Sequence, residues 1–381
     1  MITRYFIIFI FISLNVLQAQ QFSDETMSYD GEIRKYKIYI PSQYDGTKPI
    51  PLMFNFHGGG GDIASQIAIA DMRSIADTAN FIIVYPQALP DLGDGGSTNW
   101  LHKDPTDVDD VFFVDALIDK IASEYEIDQQ KIYACGYSLG GEFTYELACR
   151  LNDRIAAVGV VARTMGTAAF DNCSPSHPTG ILTILGTEDN ISPYDGLTWY
   201  GIQYYLSADE MHDYWIKHNN ASETPIITQL PNQNQSDGST VERYSWKDGN
   251  GCVTIEHLKV IGGDHDWPGS FGNMDIDASV EIWNYVSQYN LNGLISCEAT
   301  SNSEQITDIN EFEIFPNPVS NKLIINLNLT KEKEYKIYSL NGELVLSGIV
   351  KSNSNSIEIS NLSSNIYFIN IGNNISKFIK Q

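Results

Sequence analysis

One pentapeptide constrains what this chain can fold into more than any other stretch: Gly136-Tyr137-Ser138-Leu139-Gly140, with Gly141 directly behind it. A mainly apolar run, Lys131-Ile132-Tyr133-Ala134-Cys135, leads into it, and Glu142 to Arg150 reads as a helix beyond it. A serine between glycines at a strand-to-helix turn is pushed out of the sheet, because residues without a Cβ let strand and helix close together. The helix start behind Ser138 leaves free backbone N–H groups and a positive dipole end where an oxyanion would form. So short a pattern arises by accident in glycine-rich chains, and its weight comes from the strand before it and the helix after it. In that context Ser138 reads as a nucleophile, and its partners should stand at other strand ends.

Pro51 to Phe56 is a near-continuous apolar run, as expected of a strand buried on both faces, and it ends in His57-Gly58-Gly59-Gly60-Gly61. The pattern of a phosphate loop is missing. The glycines read instead as the second wall of an oxyanion hole, with the N–H of Gly59 paired to that of Leu139; a flexible turn is the alternative. His57 reads as a turn-shaping residue, not a base. A further buried strand, Gly180 to Leu185, runs into Gly186-Thr187-Glu188-Asp189-Asn190. An acid just past the C-terminal end of a parallel strand lies where α/β proteins place their sites, so Asp189 can orient an imidazole while Glu188 points elsewhere. Cys252 to Ile261 reads as the last strand of this part, followed by Gly262-Gly263-Asp264-His265-Asp266-Trp267-Pro268-Gly269. His265 is the histidine in a glycine-flanked turn after a strand and before a closing helix, Ile276 to Tyr289. The order Ser138, Asp189, His265 is the order of nucleophile, acid and base in α/β-hydrolases.

The intervening segments are expected as follows. Ile33 to Ile40 reads as an edge-type strand, Ile63 to Asp77 as a helical stretch and Phe81 to Tyr85 as a strand. A long loop spans Pro86 to Pro105 and holds Asn99-Trp100. Thr106 offers an N-cap to a helix whose acids at 107, 109 and 110 suit the positive helix end and need no catalytic role. Ile155 to Val161 reads as a buried strand, Leu206 to Asn219 as a helix, and Asn219 to Thr240 as an exposed polar connection. Trp100 and Trp267 are the aromatic candidates for substrate contact.

Composition narrows the class. The chain has 381 residues, 43 % hydrophobic and 19 % charged, which is globular and long enough for one large domain or two moderate ones. The net charge is −25; from Phe312 onward it is +2, leaving −27 on the rest. So acidic a body is repelled by phosphate backbones and anionic lipid, which excludes nucleic acid as an expected partner. Residues 1–19 read as a signal peptide: Arg4 supplies the charge, Tyr5 to Leu17 the apolar stretch and Leu17-Gln18-Ala19 the cleavage site. The mature chain is expected to begin near Gln20 and to be exported. Export permits disulfides among the five cysteines, of which at least one must stay free; Cys149 with Cys173 is a candidate pair, and Cys135 reads as a buried core residue. No spacing suits zinc, and neither metal nor cofactor is expected.

These motifs resemble the secreted polyhydroxybutyrate-depolymerase and feruloyl-esterase-like group of α/β-hydrolases. The resemblance spans about Tyr29 to Tyr289. It rests on His57-Gly58-Gly59, Asn99-Trp100, Asp109-Asp110-Val111, the Ser138 turn, Gly186-Thr187-Glu188-Asp189 with Pro193-Tyr194, and the His265 turn. It implies a doubly wound, mostly parallel sheet of the α/β-hydrolase type over residues 20–297. It also implies a catalytic triad at Ser138, Asp189 and His265, and a polymeric or oligomeric ester as substrate. Feruloyl or acetyl esters of plant polysaccharide are the leading reading; an aliphatic polyester, peptide hydrolysis and a binding protein that has lost catalysis remain beside it. Asp264 and Asp266 stand where this group commonly has Gly and Thr. Extra carboxylates beside the base would raise its pKa and shift the activity optimum upward.

The tail reads as a separate unit. Residues 298–311 are polar and poor in core formers, a linker. From Phe312 the chain alternates as short strands, with Asn341-Gly342 as a hairpin turn, and predicts a small all-β sandwich over residues 312–381. A carbohydrate-binding module would need an aromatic platform that this segment lacks. It closely resembles the C-terminal sorting domain of the type IX secretion system, which implies that system's machinery as a partner and removal or surface attachment of the tail.

Overall fold

The computed structural model describes residues 21–100, 109–297, 313–326, 333–339, 344–350, 356–371 and 374–381. They belong to two compact units, whose described parts are residues 21–297 and 313–381.

Among the described residues the larger unit is built on a sheet of ten strands. In chain order these are β1 (Gln21–Tyr29), β2 (Glu32–Ile40), β3 (Ile50–Phe56), β4 (Ile82–Pro86), β5 (Ile127–Tyr137), β6 (Ala157–Val161), β7 (Gly180–Gly186), β8 (Ile226–Gln229), β9 (Thr240–Trp246) and β10 (Ile255–Ile261). Across the sheet they run β1-β2-β4-β3-β5-β6-β7-β10-β9-β8. The stretch from β4 to β10 is parallel, and an antiparallel pair closes each flank. Successive side chains of the central strands enter opposite core layers: Leu52, Phe54 and Phe56 of β3 face one, Met53 the other. In β5, Ile132 and Ala134 oppose Tyr133 and Cys135 in the same way. A strand buried on both faces has no polar side, hence the near-continuous apolar runs.

Among the described residues the two faces are covered by helices α1 (Ile63–Ile69), α2 (Arg73–Ala79), α3 (Asp110–Glu124), α4 (Leu139–Arg150), α5 (Thr167–Asp171), α6 (Ala208–Asn219) and α7 (Ala278–Val286). Side chains of α3 to α6 fill one layer, and those of α1, α2 and α7 the other. The α3 N-terminus is capped by Asp109, whose Oδ1 accepts from Val111 N at 2.9 Å. Its second oxygen pairs with Arg150 of α4, and Asp110 pairs with Arg34 of β2. These buried acids therefore tie α3 to its neighbours. Two disulfides, Cys149–Cys173 and Cys252–Cys297, cross-link the unit, while Cys135 is free and buried in β5.

Several expectations are corrected. β2 is not an edge strand: β1, too polar to read as a strand, pairs along its whole length and becomes the edge. The stretch from Ile63 to Asp77 is two short helices, not one. Within the supposed polar connection, β8 adds an exposed four-residue edge strand to β9. The expected cap Thr106, residues 1–19, the linker 298–311 and the turn Asn341-Gly342 lie outside the described residues.

The described residues of the small unit form a three-stranded and a four-stranded antiparallel sheet. Leu323 and Ile357 from the first share one core with Ile337, Ile369 and Phe378 from the second.

Candidate active site

Because β3, β5, β6, β7 and β10 run parallel side by side, the loops after them all leave the same edge of the sheet. That edge collects the His57–Gly61 loop, Ser138, Asp189 and His265. At the β5–α4 turn, strand and helix approach so closely that side chains are excluded. A methyl group on Gly136 would lie 2.2 Å from the Gly140 carbonyl oxygen, and one on Gly140 2.3 Å from that of Phe56. Ser138 takes up the sharp reversal with φ 52° and ψ −121°, a conformation costly for a residue with a Cβ. Its N–H donates to Val161 O at 3.0 Å, which pins the turn to β6. The side chain is partly exposed, and among the described residues no hydrogen bond engages its hydroxyl.

Asp189 is buried, while Glu188 beside it is exposed. Asp189 Oδ1 accepts from the N–H groups of Ile191 at 2.8 Å and Ser192 at 2.7 Å. Its Oδ2 accepts from His265 Nδ1 at 2.7 Å. That bond places the proton of the neutral ring on Nδ1 and leaves the Nε2 lone pair free. The two loops are stitched together by Thr187 N to Val260 O (3.0 Å), Glu188 N to Gly263 O (2.8 Å) and Gly262 N to the Thr187 hydroxyl (2.9 Å). His265 also leans on the Ser138 turn. The Tyr137 hydroxyl donates to His265 O at 2.7 Å, and the two rings lie 5.1 Å apart. Burial and the nearby carboxylates of Asp189, Asp266 and Asp264 push the Tyr137 phenol up, so it stays a donor. Asp264 and Asp266 are themselves engaged in the turn. Asp264 Oδ1 accepts from His265 N at 2.9 Å, and burial raises the Asp266 carboxyl above its ordinary value.

His57 is buried, and its ring is spent on structure. Nδ1 donates to Gly58 O at 2.7 Å, and Nε2 accepts from Ala88 N at 3.1 Å. Burial holds its pKa below the ordinary value, so it is neutral. In the glycine loop, Gly60 N donates to Thr98 O and Asn99 Oδ1, and Gly61 N to Gly58 O. The N–H of Gly59 has no such partner among the described residues. Gly59 lies against Leu139, whose Cδ1 would be 2.4 Å from a Cβ placed there, and Gly58 lies against Ser138. The loop thus faces the start of α4, where the first N–H groups are unpaired by helix geometry.

Two expected contacts are overturned. Trp100 is 3 % exposed, stacked on Phe143 with its Nε1 donating to His57 O at 2.8 Å. Trp267 is 1 % exposed and donates to the Ser279 hydroxyl. Neither presents a face to a substrate; both brace the loops that carry the site. Sequence reasoning also missed Tyr137 as the clamp on the His265 loop, since nothing local links positions 128 residues apart. It missed as well the ion pair of Glu142, in the first turn of α4, with buried Arg163. Among the described residues no group of His, Cys, Asp and Glu could hold a metal ion.

The backbone of the larger unit matches a solved structure, the acetyl xylan esterase from Aspergillus awamori. The TM-score is 0.50 over 70 % of this chain and 99 % of that one, at 13 % identity. The larger unit has the α/β-hydrolase fold. This unit is similar in sequence to feruloyl esterase B of Piromyces equi, 30 % identical over 267 residues, 68 % of this chain and 46 % of that protein. It is also similar to a bifunctional acetylxylan esterase/xylanase of Neocallimastix patriciarum, 28 % identical over 266 residues, 70 % of this chain and 35 % of that protein. The chain thus spans less than half the length of these two curated relatives. Residues 313–381 match the secretion system C-terminal sorting domain family, which marks the chain for export.

Proposed function

We propose that the protein is a secreted serine esterase that cleaves feruloyl or acetyl esters on plant polysaccharide. The observation that carries this reading is the Asp189–His265 hydrogen bond of 2.7 Å, held by Tyr137 against the turn that exposes Ser138. Nε2 of His265 takes the proton of Ser138, and Oγ attacks the ester carbonyl. Asp189 holds the ring in the required tautomer and stabilises the imidazolium that forms. The N–H groups of Leu139 and Gly59 receive the tetrahedral oxyanion. His265 returns the proton to the departing alcohol, and water then repeats the sequence to release the acid. The hydroxyl–imidazole hydrogen bond of such sites is commonly long in the substrate-free form and tightens on binding. The relatives named for feruloyl and acetylxylan ester cleavage support the choice of ester, and an exported enzyme suits a polymer too large to import.

In this reading residues 1–19 are the signal peptide, 20–297 the catalytic domain, 298–311 a linker and 312–381 the sorting domain. That last domain engages the type IX machinery and is then removed or anchored at the surface. Release of p-nitrophenol from a short acyl ester tests the chemistry: Ser138→Ala should cost about 10³-fold or more in turnover. Wild-type turnover in that variant rules out the nucleophile. Feruloylated arabinoxylan, acetylated xylan and polyhydroxybutyrate film, assayed side by side, decide the substrate.

A further inference from the structure

Eight residues beyond Asp189 the chain forms a hairpin, Leu197–Trp199 paired with Ile202–Tyr205. Its foot is tied to the segment that follows β6. Gly166 bridges to Tyr205, Leu206 N donates to Met165 O at 3.0 Å, and the Arg163 guanidinium lies 3.8 Å over the Tyr205 ring. Arg163 in turn is paired with Glu142, whose N–H donates to Ser138 O at 3.0 Å. The hairpin therefore stands at the rim of the site, one foot on the Asp189 loop and the other on the segment after β6, which Arg163 ties through Glu142 to α4.

Its tip is out of keeping with folding alone. Trp199 is 61 % exposed and Tyr200 86 %, with ring centroids 4.7 Å apart, and Tyr204 flanks Trp199 at 6.4 Å. The two turn residues, Tyr200 (φ 48°) and Gly201 (φ 76°), both have positive φ, a turn that favours Asn-Gly and penalises a bulky first residue. Tyr200 thus holds a strained backbone while burying almost nothing, the signature of a side chain kept for contact with something else.

We infer that this hairpin is a stacking platform for an uncharged polysaccharide chain as it runs past Ser138, with Trp199 and Tyr200 as its two principal rings. The inference rests on the esterase reading for its substrate. An open tip does not enclose a small acyl group, which needs a pocket covering most of its surface. It does suit the apolar faces of sugar rings in a chain that continues into solvent. Charge selects among polymers. Asp195, Asp209 and Glu210 are exposed around the hairpin's base, on a chain of net charge −25, so a polyuronate is repelled where a neutral chain is not.

The test is affinity electrophoresis of the full chain carrying Ser138→Ala, in gels containing arabinoxylan or polygalacturonate. The expected result is retardation by arabinoxylan alone, weakened about tenfold by either Trp199→Ala or Tyr200→Asn and further by both. Tyr200→Asn suits the turn, so its melting temperature should hold or rise while binding falls, which a purely structural role would not produce. In proteins with Ser138 intact, both substitutions should lower kcat/KM on esterified arabinoxylan, relative to p-nitrophenyl acetate, by about tenfold. Unchanged retardation in the double variant, no retardation of the Ser138→Ala parent, or equal retardation by polygalacturonate overturns the platform. Failure of the wild type to cleave p-nitrophenyl acetate overturns the esterase reading instead, and leaves the binding result legible.

Discussion

Replacing Asp189 by Asn changes one atom and should remove most of the activity. The two N–H groups of Ile191 and Ser192 converge on Oδ1, so an amide at this position must turn its oxygen toward them. Its NH₂ then faces His265 Nδ1 across the distance now spanned by a 2.7 Å hydrogen bond. A donor there obliges Nδ1 to accept, which moves the ring proton to Nε2 and deprives Ser138 of its base. In a triad of this kind a tautomer reversed in that way lowers kcat by about 10⁴-fold, about 5 kcal/mol of transition-state stabilisation. The loss should fall on kcat and spare KM, because neither the oxyanion donors nor the substrate rim is altered. Turnover of p-nitrophenyl acetate across pH 5 to 9 measures it, with thermal unfolding as the control for folding. Activity within tenfold of wild type, in a folded variant, refutes the assignment of Asp189 as the residue that sets the tautomer.

Trp100→Ala should behave as a core truncation, costing about 3–5 kcal/mol in urea unfolding, because the indole is stacked on Phe143 and is buried. A raised KM without loss of stability would restore the substrate-contact role that burial argues against. Gly140→Ala should cost at least about 2 kcal/mol, since its methyl would meet the backbone oxygens of Phe56 and His57, which cannot give way as a side chain can. Equal stability of this variant in denaturant would show that the β5–α4 approach is looser than drawn. Burial holds His57, His212 and His257 below the ordinary value of 6.5, His212 at about 3. These groups bind more protons unfolded than folded, so the stability they lend is complete above pH 6.5 and is lost as pH falls toward 3. For His212 that loss is about 2 kcal/mol at pH 5, and urea midpoints measured from pH 7.5 to 5 should fall accordingly. A midpoint flat over that range contradicts neutral burial.

Much of the architecture could be read from local pattern. The runs ending at Phe56, Cys135 and Leu185 are apolar on both faces, and these and the run ending at Ile261 each stop at a glycine-bearing turn, so the parallel strands and the ends that carry the candidate site were legible. The flanks were not. β1 is polar and alternating, and it exists as a strand because β2 offers it a hydrogen-bonding edge. β8 is a strand only by pairing with β9. The aromatic candidates misled for a related reason: a tryptophan in a loop carries no local sign of whether the loop turns it inward. The loops turn Trp100 and Trp267 into the core, while Trp199 and Tyr200, in a segment without a motif, stand in solvent.

By itself the amino-acid order determined that a hydroxyl would be forced out at 138, because two flanking residues without side chains permit a reversal that others forbid. It likewise determined an acidic main body and a tail of separate composition. Only the tertiary structure decided that the carboxylate at 189 and the imidazole at 265 meet, that the phenol at 137 holds them to the turn at 138, and which aromatic rings face water. Steric exclusion acts between neighbours and is written in short patterns. Hydrogen bonds and burial between residues 76 or 128 positions apart depend on strand order and register, which no local pattern encodes.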